Sequence, residues 1–504
     1  MGSRRLMSLR VPLGRGPLGE ILGVPHRDRW PEFPINSVCS DHRRMPADLF
    51  VAVPGLRHDA SGYIRDAIRG GARAIVCQCP PFPDVDENIS WWQVDDSRRA
   101  LARLAHAGAG EPGSQMRIFG ITGTNGKSTT VGYLSSILQE AGGQVGWMTT
   151  LEHRLGSVST PSQMTTEDPL VIADALARHL EAGGTDMVLE VSSHAIDQQR
   201  IAGLSLCAAA ITSFGRDHLD YHKTLEQYHQ TKQRLADWCD AGAAFVRPYP
   251  HRAGSDSDGE IRFQVDGFED AVADRITWSF EGSSARVRTD GFVGELKLRQ
   301  LGRHNVSNAL VATAIAAANG VSSDHIVAGI LNAKSVAGRL QWVESPVGRI
   351  CIDFAHTPDA IDAVIDTLRP LVKGRLILLF GCGGERDQGK RAEMGKCAAG
   401  ADQLIVTSDN PRTEDPQQII DQVLAGVPEE VKYEAEVDRR RAIDLAVKML
   451  NPDDVLVIAG KGHEATQQIG DRFEPFDDDR ITCQILAQNF PHSPVQDFSR
   501  EVLG

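Results

Sequence analysis

The chain has 504 residues, of which 41% are hydrophobic, 24% are charged and 48 are glycine. This length exceeds one ordinary hydrophobic core, so we expect two to three domains. The net charge of −14 argues against a general nucleic-acid-binding or membrane-surface protein, because both need an excess of basic side chains. Nine cysteines without paired metal-ligand spacing predict a reduced, cytoplasmic protein. No apolar run approaches membrane-spanning length.

The first segment predicts a small α/β unit. A strand at residues 49–53, a helix at residues 63–70 and a second strand at residues 72–77 follow one another. A glycine-rich stretch at residues 111–114 then interrupts the pattern. We therefore place an N-terminal domain at residues 1–113.

The second segment opens with FGITGTNGKSTT, residues 119–130, between an apolar strand and a run of apolar residues at helical spacing. In such a strand–loop–helix turn the backbone N–H groups can surround a polyphosphate, Lys127 can reach its outer charges and Ser128 can ligate Mg²⁺. The general pattern has a glycine five positions before Gly126, where this chain has Ile121. The loop is therefore a variant form. The alternative is a tight turn that happens to contain a lysine.

Two further apolar strands of this segment lead into polar side chains. Residues 187–189 run into Glu190, and residues 208–212 run into GRDHLDYH, which contains His218. Because open parallel sheets bind ligands beyond the carboxyl ends of their strands, we expect both side chains near the phosphate loop. Glu190 and His218 are candidate metal ligands, and the alternative for each is an ordinary surface or packed residue. We place this central domain at residues 114–337.

The third segment, residues 338–504, repeats the alternation of strands and helices and predicts a second open sheet. Its apolar strands at residues 376–380, 404–407 and 455–458 lead into turns that carry Arg386, Arg412 and Lys461, respectively. Three cations at strand ends suggest an anionic substrate, and the rigid fork of a guanidinium suits Arg412 to a carboxylate. The alternative is a set of unrelated surface charges. Two sheets that face one cleft would bring a nucleotide and a second substrate together.

A series of motifs follows in one order: GITGTNGKS, LEVSSHAIDQQR, DHLDYH, GRHNVSNAL, DFAHTPDA, FGCGGERDQGKR, TSDNPRTEDP and AGKGHE. Together they resemble the Mur ligases of peptidoglycan assembly. The resemblance implies an α/β fold with a small N-terminal UDP-binding domain, a central P-loop ATPase-like domain with a parallel sheet and a C-terminal Rossmann-like domain. It also implies ATP-dependent amide formation, in which an acyl phosphate joins a third amino acid to the D-glutamate of UDP-N-acetylmuramoyl-L-alanyl-D-glutamate.

The resemblance also implies roles for individual residues. ATP would be bound by Gly123, Thr124, Asn125, Gly126, Lys127, Ser128, Thr129, Asn305, Arg339 and Asp353. The catalytic set would be Lys127, Glu190, His218 and Lys232, and Mg²⁺ would be handled by Ser128, Glu190, His218 and Lys232 as a carbamate. The residues alone predict only a solvated lysine at position 232, on a helix. The UDP-muramoyl dipeptide would be held by Ser40, His42, Thr165, Thr166, Ser192, Gln198 and Arg200.

The incoming amino acid would be bound by Arg386, Asp409, Asn410, Pro411, Arg412, Gly460 and Glu464. The resemblance associates the DNPR variant with meso-diaminopimelate. The charges agree, because the second carboxylate of that substrate could pair with Arg412, whereas L-lysine would place an ammonium there. We expect only small-molecule substrates as partners, no nucleic acid, no membrane insertion and a monomer.

Some positions depart from the family pattern. His42 stands where the family usually has a serine, and Met164 and Ser213 each replace a usual asparagine. None of these changes removes an ATP, metal or amino-acid group. Three alternatives stay open: an L-lysine-adding enzyme, another ligase of the superfamily such as folylpolyglutamate synthase, and a non-catalytic nucleotide-binding module.

Overall fold

The computed structural model describes residues 6–23, 33–55, 60–249 and 259–491. In this part of the chain the strands form sheets of five, eleven and six strands and one two-stranded hairpin. The α/β class predicted from the sequence is confirmed. Within the described residues, no helix combines the length and the apolar character that a membrane crossing requires.

The N-terminal elements are β1 (Leu6–Leu13), α1 (Arg15–Leu22), β2 (Ile35–Cys39), β3 (Leu49–Val51), α2 (Ile64–Arg69), β4 (Ala74–Cys77), β5 (Ser90–Gln93) and α3 (Ser97–Gly108). The sheet order is β1-β2-β3-β4-β5, and only the pair of β1 and β2 is antiparallel. Asp96 caps α3 by accepting the N–H groups of Arg98 and Arg99. The N-terminal core also takes in Leu170 and Ala173 from the central part of the chain, so these two parts pack together.

The central elements are β6 (Arg117–Thr122), α4 (Lys127–Glu140), β7 (Val145–Met148), β8 (Glu152–Leu155), β9 (Val158–Pro161), α5 (Pro169–Glu181), β10 (Asp186–Glu190), α6 (Ser193–Asp197), β11 (Leu206–Ile211), α7 (Leu219–His222), α8 (Leu225–Gln233), β12 (Cys239–Pro248), β13 (Ile261–Asp266), β14 (Ala271–Ser279), β15 (Gly282–Thr289), β16 (Phe292–Leu298), α9 (Arg303–Ala318) and α10 (Ser323–Asn332). The strand order is β16-β15-β14-β13-β12-β11-β6-β10-β7-β8-β9. The five strands from β12 to β7 in this order are parallel, and the strands beyond them pair in antiparallel fashion.

The phosphate loop follows β6, the middle strand of this parallel core. Ile121 pairs with Glu190 on one side, and Thr122 pairs with Ile211 on the other. The carboxyl ends of three strands therefore meet at the loop, as expected for an open parallel sheet. Helix α4 is buried along one side, and α10 packs closely on it. Gly329 of α10 permits this approach, since a Cβ there would lie only 2.4 Å from the Cα atom of Ile137.

The C-terminal elements are β17 (Gln341–Val343), β18 (Arg349–Asp353), α11 (Pro358–Leu368), β19 (Leu376–Phe380), α12 (Lys390–Ala398), β20 (Gln403–Thr407), α13 (Pro416–Leu424), β21 (Tyr433–Glu436), α14 (Arg439–Met449), β22 (Val455–Ala459), β23 (Thr466–Ile469), β24 (Arg472–Pro475) and α15 (Asp478–Asn489). The sheet order is β17-β18-β22-β19-β20-β21, and only β17 pairs antiparallel. A fully buried ion pair between Arg439 and Asp478, 2.7 Å long, joins α14 to α15. Arg439 also donates to the carbonyl of Ala459 at 2.9 Å, which fixes the end of β22.

Candidate active site

The phosphate loop is closed around its own lysine. Gly123 has φ +150° and Gly126 has φ +88°, a region that side chains disfavour. A Cβ on Gly126 would lie 2.2 Å from Oδ1 of Asn308. Lys127 Nζ donates to the carbonyls of Gly123 at 3.0 Å and Thr124 at 3.1 Å. The loop thus holds an ammonium group at the N-terminus of α4, where a phosphate would bind.

Glu190 is the acidic centre of the site and is only 2% exposed. Ser128 Oγ donates to Oε2 of Glu190 at 2.8 Å, and the backbone N–H and the hydroxyl of Thr150 donate to its two oxygens at 3.1 and 2.9 Å. Lys127 Nζ lies 3.9 Å from Oε1. These contacts fix the carboxylate beside the phosphate loop, as the sequence predicted.

The donor set around Glu190 fits a hard divalent cation. Mg²⁺ prefers oxygen ligands and usually takes only one or two carboxylates, with phosphate oxygens and waters completing its shell. The Ser128 hydroxyl and the Glu190 carboxylate provide such oxygens. In the described residues, no group of three or more His, Cys, Asp or Glu side chains is arranged to hold a metal on its own. The protein therefore offers part of a Mg²⁺ site, which a bound nucleotide would complete.

A chain of hydrogen bonds connects Glu190 to five residues predicted to hold the muramoyl dipeptide. Thr166 Oγ1 donates to the carbonyl of Glu190 at 2.9 Å and accepts the Ser192 N–H at 2.9 Å. Arg200 donates from Nη1 to the carbonyl of Thr166 at 2.6 Å. The complete set is Thr165, Thr166, Ser192, Gln198 and Arg200. The structure brings these side chains together next to the phosphate loop.

The two predicted residues of the N-terminal sheet lie apart from this network. The His42 ring stacks on Tyr63 with centroids 4.4 Å apart and planes 6° from parallel. Asp41 accepts the N–H of Arg43 at 3.1 Å and begins the short 3₁₀ turn that carries His42. Within the described part of the chain, no hydrogen bond links Ser40 or His42 to the central sheet. The histidine that departs from the family pattern thus forms a flat aromatic pair.

Lys232 is buried, so the expectation of a solvated lysine was wrong. Its side chain lies on α8 with no exposed surface. Lys232 Nζ donates to Thr124 Oγ1 at 2.6 Å and lies 3.4 Å from the ring centroid of Tyr228. Burial, together with the charge of Lys127, lowers the pKa of Lys232 well below its ordinary value. The environment therefore favours a neutral amine, the form that can add to an electrophile.

His218 belongs to a second cluster, centred on Asp217. The Asp217 carboxylate lies 3.3 Å from Lys390 Nζ and 3.6 Å from Nε2 of both His218 and His356. Burial opposes its charge, but the nearby His356 imidazole and the charge of Lys390 bring the pKa of Asp217 well below its ordinary value. Burial lowers the pKa of His218 to about 3, which leaves its imidazole neutral. Among the described residues, no hydrogen bond or ion pair joins His218 to Glu190.

The predicted nucleotide-side residues lie where the central and C-terminal sheets meet. Asn305 donates its amide to the carbonyl of Leu301 at 2.8 Å, which places it at the start of α9. Asp353 accepts two backbone N–H groups, at 2.7 and 2.8 Å. One of them belongs to the turn that carries Arg339, whose guanidinium stacks 4.6 Å from the Phe354 ring centroid. Asp353 therefore positions the backbone next to Arg339.

The predicted amino-acid pocket contains a closed polar network. Asn410 donates to Glu464 Oε2 at 2.8 Å, and Lys461 Nζ contacts the same oxygen at 3.1 Å. Gly460 allows the close approach of Asp409, because a Cβ there would lie 2.7 Å from a carboxylate oxygen. Lys461 is buried and neutralised by Glu464. It is therefore not one of the free cations that the sequence suggested.

Two arginines at this end of the sheet, Arg386 and Arg412, form no ion pair with any residue that the structure describes. Arg412 is half-buried with φ +53°, and its Nη1 donates to the carbonyl of Gly384. Arg386 is exposed. Burial, and after it the charges of Arg200 and Arg386, lower the pKa of His194 on α6.

Sequence reasoning missed several residues that the structure places in the site. Asp217, His356 and Lys390 lie inside motifs that the sequence analysis quoted, DHLDYH, DFAHTPDA and FGCGGERDQGKR. Their position inside these motifs was the sequence signal that could have identified them as site residues. Thr150 lies outside every quoted motif, and only the fold brings it to Glu190.

Comparison with known proteins agrees with this geometry. Residues 121–316 match the family described as Mur ligase middle domain, and residues 338–462 match the Mur ligase, glutamate ligase domain. UDP-N-acetylmuramoyl-L-alanyl-D-glutamate--2,6-diaminopimelate ligase of Aquifex aeolicus is 38% identical over 87% of this chain and 91% of its own length. A solved ligase of the same name has 27% identity and a TM-score of 0.62, covering 97% of this chain and 100% of its own. MurF ligase of Thermotoga maritima in complex with ADP, 18% identical over 90% of this chain and 96% of its own, shares the fold with a TM-score of 0.58. The chain belongs to the Mur ligase family.

Proposed function

We propose that the protein is the ATP-dependent ligase that joins meso-2,6-diaminopimelate to UDP-N-acetylmuramoyl-L-alanyl-D-glutamate. The observation that carries this proposal is the placement of a phosphate loop and of two arginines without ion-pair partners among the described residues on parts of the chain that contact each other. Asn125 of the loop donates to Thr357, the N-cap of α11 in the C-terminal part, at 3.2 Å. We place the three domains at residues 1–113, 114–337 and 338–504, and the protein in the cytoplasm as a monomer.

The first chemical step is phosphoryl transfer. A carboxylate oxygen of the D-glutamyl group attacks the γ-phosphorus of ATP, ADP departs and an acyl phosphate forms. When bound, Mg²⁺ would neutralise the phosphate oxygens, held by Ser128 and Glu190 with His218 and the carbamate of Lys232. Lys127 supports the transfer because its Nζ, which here donates to two loop carbonyls, would donate to phosphate oxygens instead. Arg339 adds positive charge from the C-terminal side.

The second step is amide formation. The amine of diaminopimelate attacks the acyl carbon, phosphate leaves and the amine proton passes to phosphate or water. The protein contributes position and charge, since holding two reactants in place supplies much of the rate of such a step. Arg412 and Arg386 bind the distant carboxylate of the amino acid. Glu464 accepts its distant ammonium, since this carboxylate keeps a negative charge beside Lys461.

Lys232 is proposed to carry a carbamate. A buried lysine with a lowered pKa supplies the neutral amine that adds to CO₂, and the product is an anion. That anion would lie beside Lys127, whose charge already disfavours an ammonium at Lys232. The modification therefore replaces a repulsive pair of cations with an attractive pair of opposite charges.

The decisive experiment measures the nucleotide product by mass. Purified protein is incubated with ATP, Mg²⁺, the UDP-muramoyl dipeptide and either meso-diaminopimelate or L-lysine. We expect the diaminopimelate product from the wild type and none from Lys127→Ala, which removes the ammonium of the phosphate loop. Faster turnover with L-lysine would reject the assignment of the pocket. Turnover only with a folate substrate, or no turnover in any mixture, would reject the proposed function.

A further inference from the structure

Arg216 forms the most direct ionic contact between the central and C-terminal sheets. Its Nε atom lies 2.9 Å from Oδ2 of Asp387, and its Nη2 atom lies 3.3 Å from Oδ1 of the same carboxylate. Its Nη1 atom also donates to Glu393 Oε1 at 2.6 Å. Asp387 is only 8% exposed in its side chain. One guanidinium therefore bridges two acids at the start of α12 with the forked geometry that makes such pairs strong.

The surroundings of this bridge are closely packed. A Cβ on Gly389 would lie 2.4 Å from Arg216 Nη2, and one on Gly215 would lie 2.3 Å from a carboxylate oxygen of Asp359. Gly389 thus leaves the space that the pair occupies, and Gly215 lets the loop before Arg216 pack against Asp359. Gly389 has φ −63° and ψ −23°, angles that any residue adopts, so the glycine is needed here for space and not for its backbone.

The neighbouring residue, Asp217, contacts the buried Lys390 across the same seam. Lys390 Nζ lies 3.3 Å from Asp217 Oδ1, and His356 Nε2 lies 3.6 Å from Oδ2. Arg216 and Asp217 are consecutive on one loop, and Asp387 and Lys390 lie one turn apart on the other side. Fixing Arg216 against Asp387 therefore fixes the distance between Asp217 and Lys390.

We infer that Arg216 is a positioning residue, and that its bridge to Asp387 and Glu393 holds the loop of Asp217 and His218 in register with Lys390. The inference rests on the proposed function for its kinetic consequences only. The bridge acts through Asp217 and Lys390 and touches neither reactant. Loss of the bridge should therefore change the productive arrangement of the two sheets. Its effect on nucleotide binding is measured separately.

Two variants test the bridge. Gly389→Ala is compatible with the backbone but displaces the Arg216 guanidinium, and Arg216→Glu places like charges together. We expect kcat/KM to fall about tenfold or more in Arg216→Glu, because opposing a bonded charge pair across an interface typically costs that much. The fall should be smaller in Gly389→Ala, because the flexible end of the Arg216 side chain can shift. The double variant Arg216→Glu with Asp387→Arg restores opposite charges and should recover part of the loss.

The matched control is Arg262→Gln. Arg262 pairs with Glu260 at 2.7 Å within the central sheet, so this variant removes an ion pair of similar length that does not cross the seam. It should keep wild-type kcat/KM. In all variants the affinity for ADP is measured by calorimetry, because Gly215, next to Arg216, hydrogen-bonds to Thr124 of the phosphate loop. A loss of kcat/KM without a matching loss of ADP affinity supports the inference, whereas an equal loss of ADP affinity would overturn it.

A second readout keeps the inference testable if the proposed function fails. Spin labels on α4 and α14 report the distance between the two sheets in the presence of ADP, with or without catalysis. We expect Gly389→Ala and Arg216→Glu to broaden or lengthen this distance, and the charge-reversed double variant to restore it. Unchanged distances and unchanged kcat/KM in both single variants would overturn the inference. If the wild type makes no ligase product but the single variants still show the changed distances, only the proposed function would be rejected.

Discussion

Replacing Arg412 with lysine is expected to weaken the use of meso-diaminopimelate while leaving ATP and the UDP-substrate unaffected. One N–H group of Arg412 donates to the carbonyl of Gly384. The remaining N–H groups of its guanidinium can donate to a carboxylate. Lysine keeps the positive charge. Because lysine and arginine both have a Cβ, the conformational strain of the left-handed backbone at φ +53° is the same for both. The difference between the two residues is therefore the paired, charge-assisted hydrogen bonding.

The size of the effect follows from that difference. A hydrogen bond to a charged group contributes about 1.5–3 kcal/mol, so kcat/KM for diaminopimelate should fall about 10- to 100-fold. The assay is steady-state turnover at saturating ATP and UDP-substrate, with Arg472→Lys on the exposed hairpin strand β24 as the matched control. A kcat/KM for diaminopimelate within about twofold of wild type would refute the proposed role of Arg412 in the pocket.

Three further predictions concern other parts of the molecule. Glu190→Gln keeps an acceptor at only one of the two oxygen positions, so it can keep the hydrogen bond from Ser128 but not also the one from the Thr150 hydroxyl, and it loses the anion. The Mg²⁺ concentration for half-maximal turnover should therefore rise at least about tenfold, since Mg²⁺ binds through carboxylates. Intact wild-type protein kept under CO₂ should show a mass gain of one CO₂ that Lys232→Ala lacks, and an unmodified wild type would contradict the carbamate. Burial lowers the pKa of His106 from its ordinary 6.5 to about 4, so the folded protein favours the neutral imidazole. The contribution of this residue to the free energy of unfolding is therefore fully present above about pH 6.5 and is lost as the pH falls towards 4. The loss should reach about 2 kcal/mol at pH 5. Urea unfolding of His106→Leu should show no such loss, and an equal loss in the variant would refute this assignment.

The sequence located the parallel strands well because their physical signal is strong. Strand β19 coincides with the predicted residues 376–380, and β20 and β22 each differ by one residue at one end. These strands are buried on both faces and therefore appear as continuous apolar runs. The antiparallel extension from β13 to β16 was not anticipated. In β15 and β16 buried and exposed residues largely alternate, which is the pattern of a half-buried strand, so the sequence did carry a signal for this part of the sheet.

Burial of charged residues was the main feature that the sequence did not provide. Lys232 lies on α8, whose sequence LEQYHQTKQ is mostly polar, and only the tertiary contacts with Thr124 and Tyr228 enclose it. The pairing of Lys461 with Glu464 was visible in principle, because the two lie three residues apart. The bridge from Arg216 to Asp387 spans 171 positions in the chain. Periodicity describes neighbours on one element, so it contains no information about such a pair.

The distribution of charge around the cleft explains why the pocket should prefer a substrate with a distant carboxylate. Lys390 and Lys461 already have carboxylate partners, Asp217 and Glu464, so they present little net charge to a ligand. Arg386 and Arg412 lie close enough that the charge of the first lowers the pKa of the second, after the larger effect of burial. Two neighbouring guanidiniums destabilise each other until an anion binds between them. A substrate with a carboxylate at that end removes the repulsion, whereas one that ends in an ammonium adds a third cation. Discrimination therefore arises as much from repulsion of the wrong amino acid as from attraction of the right one.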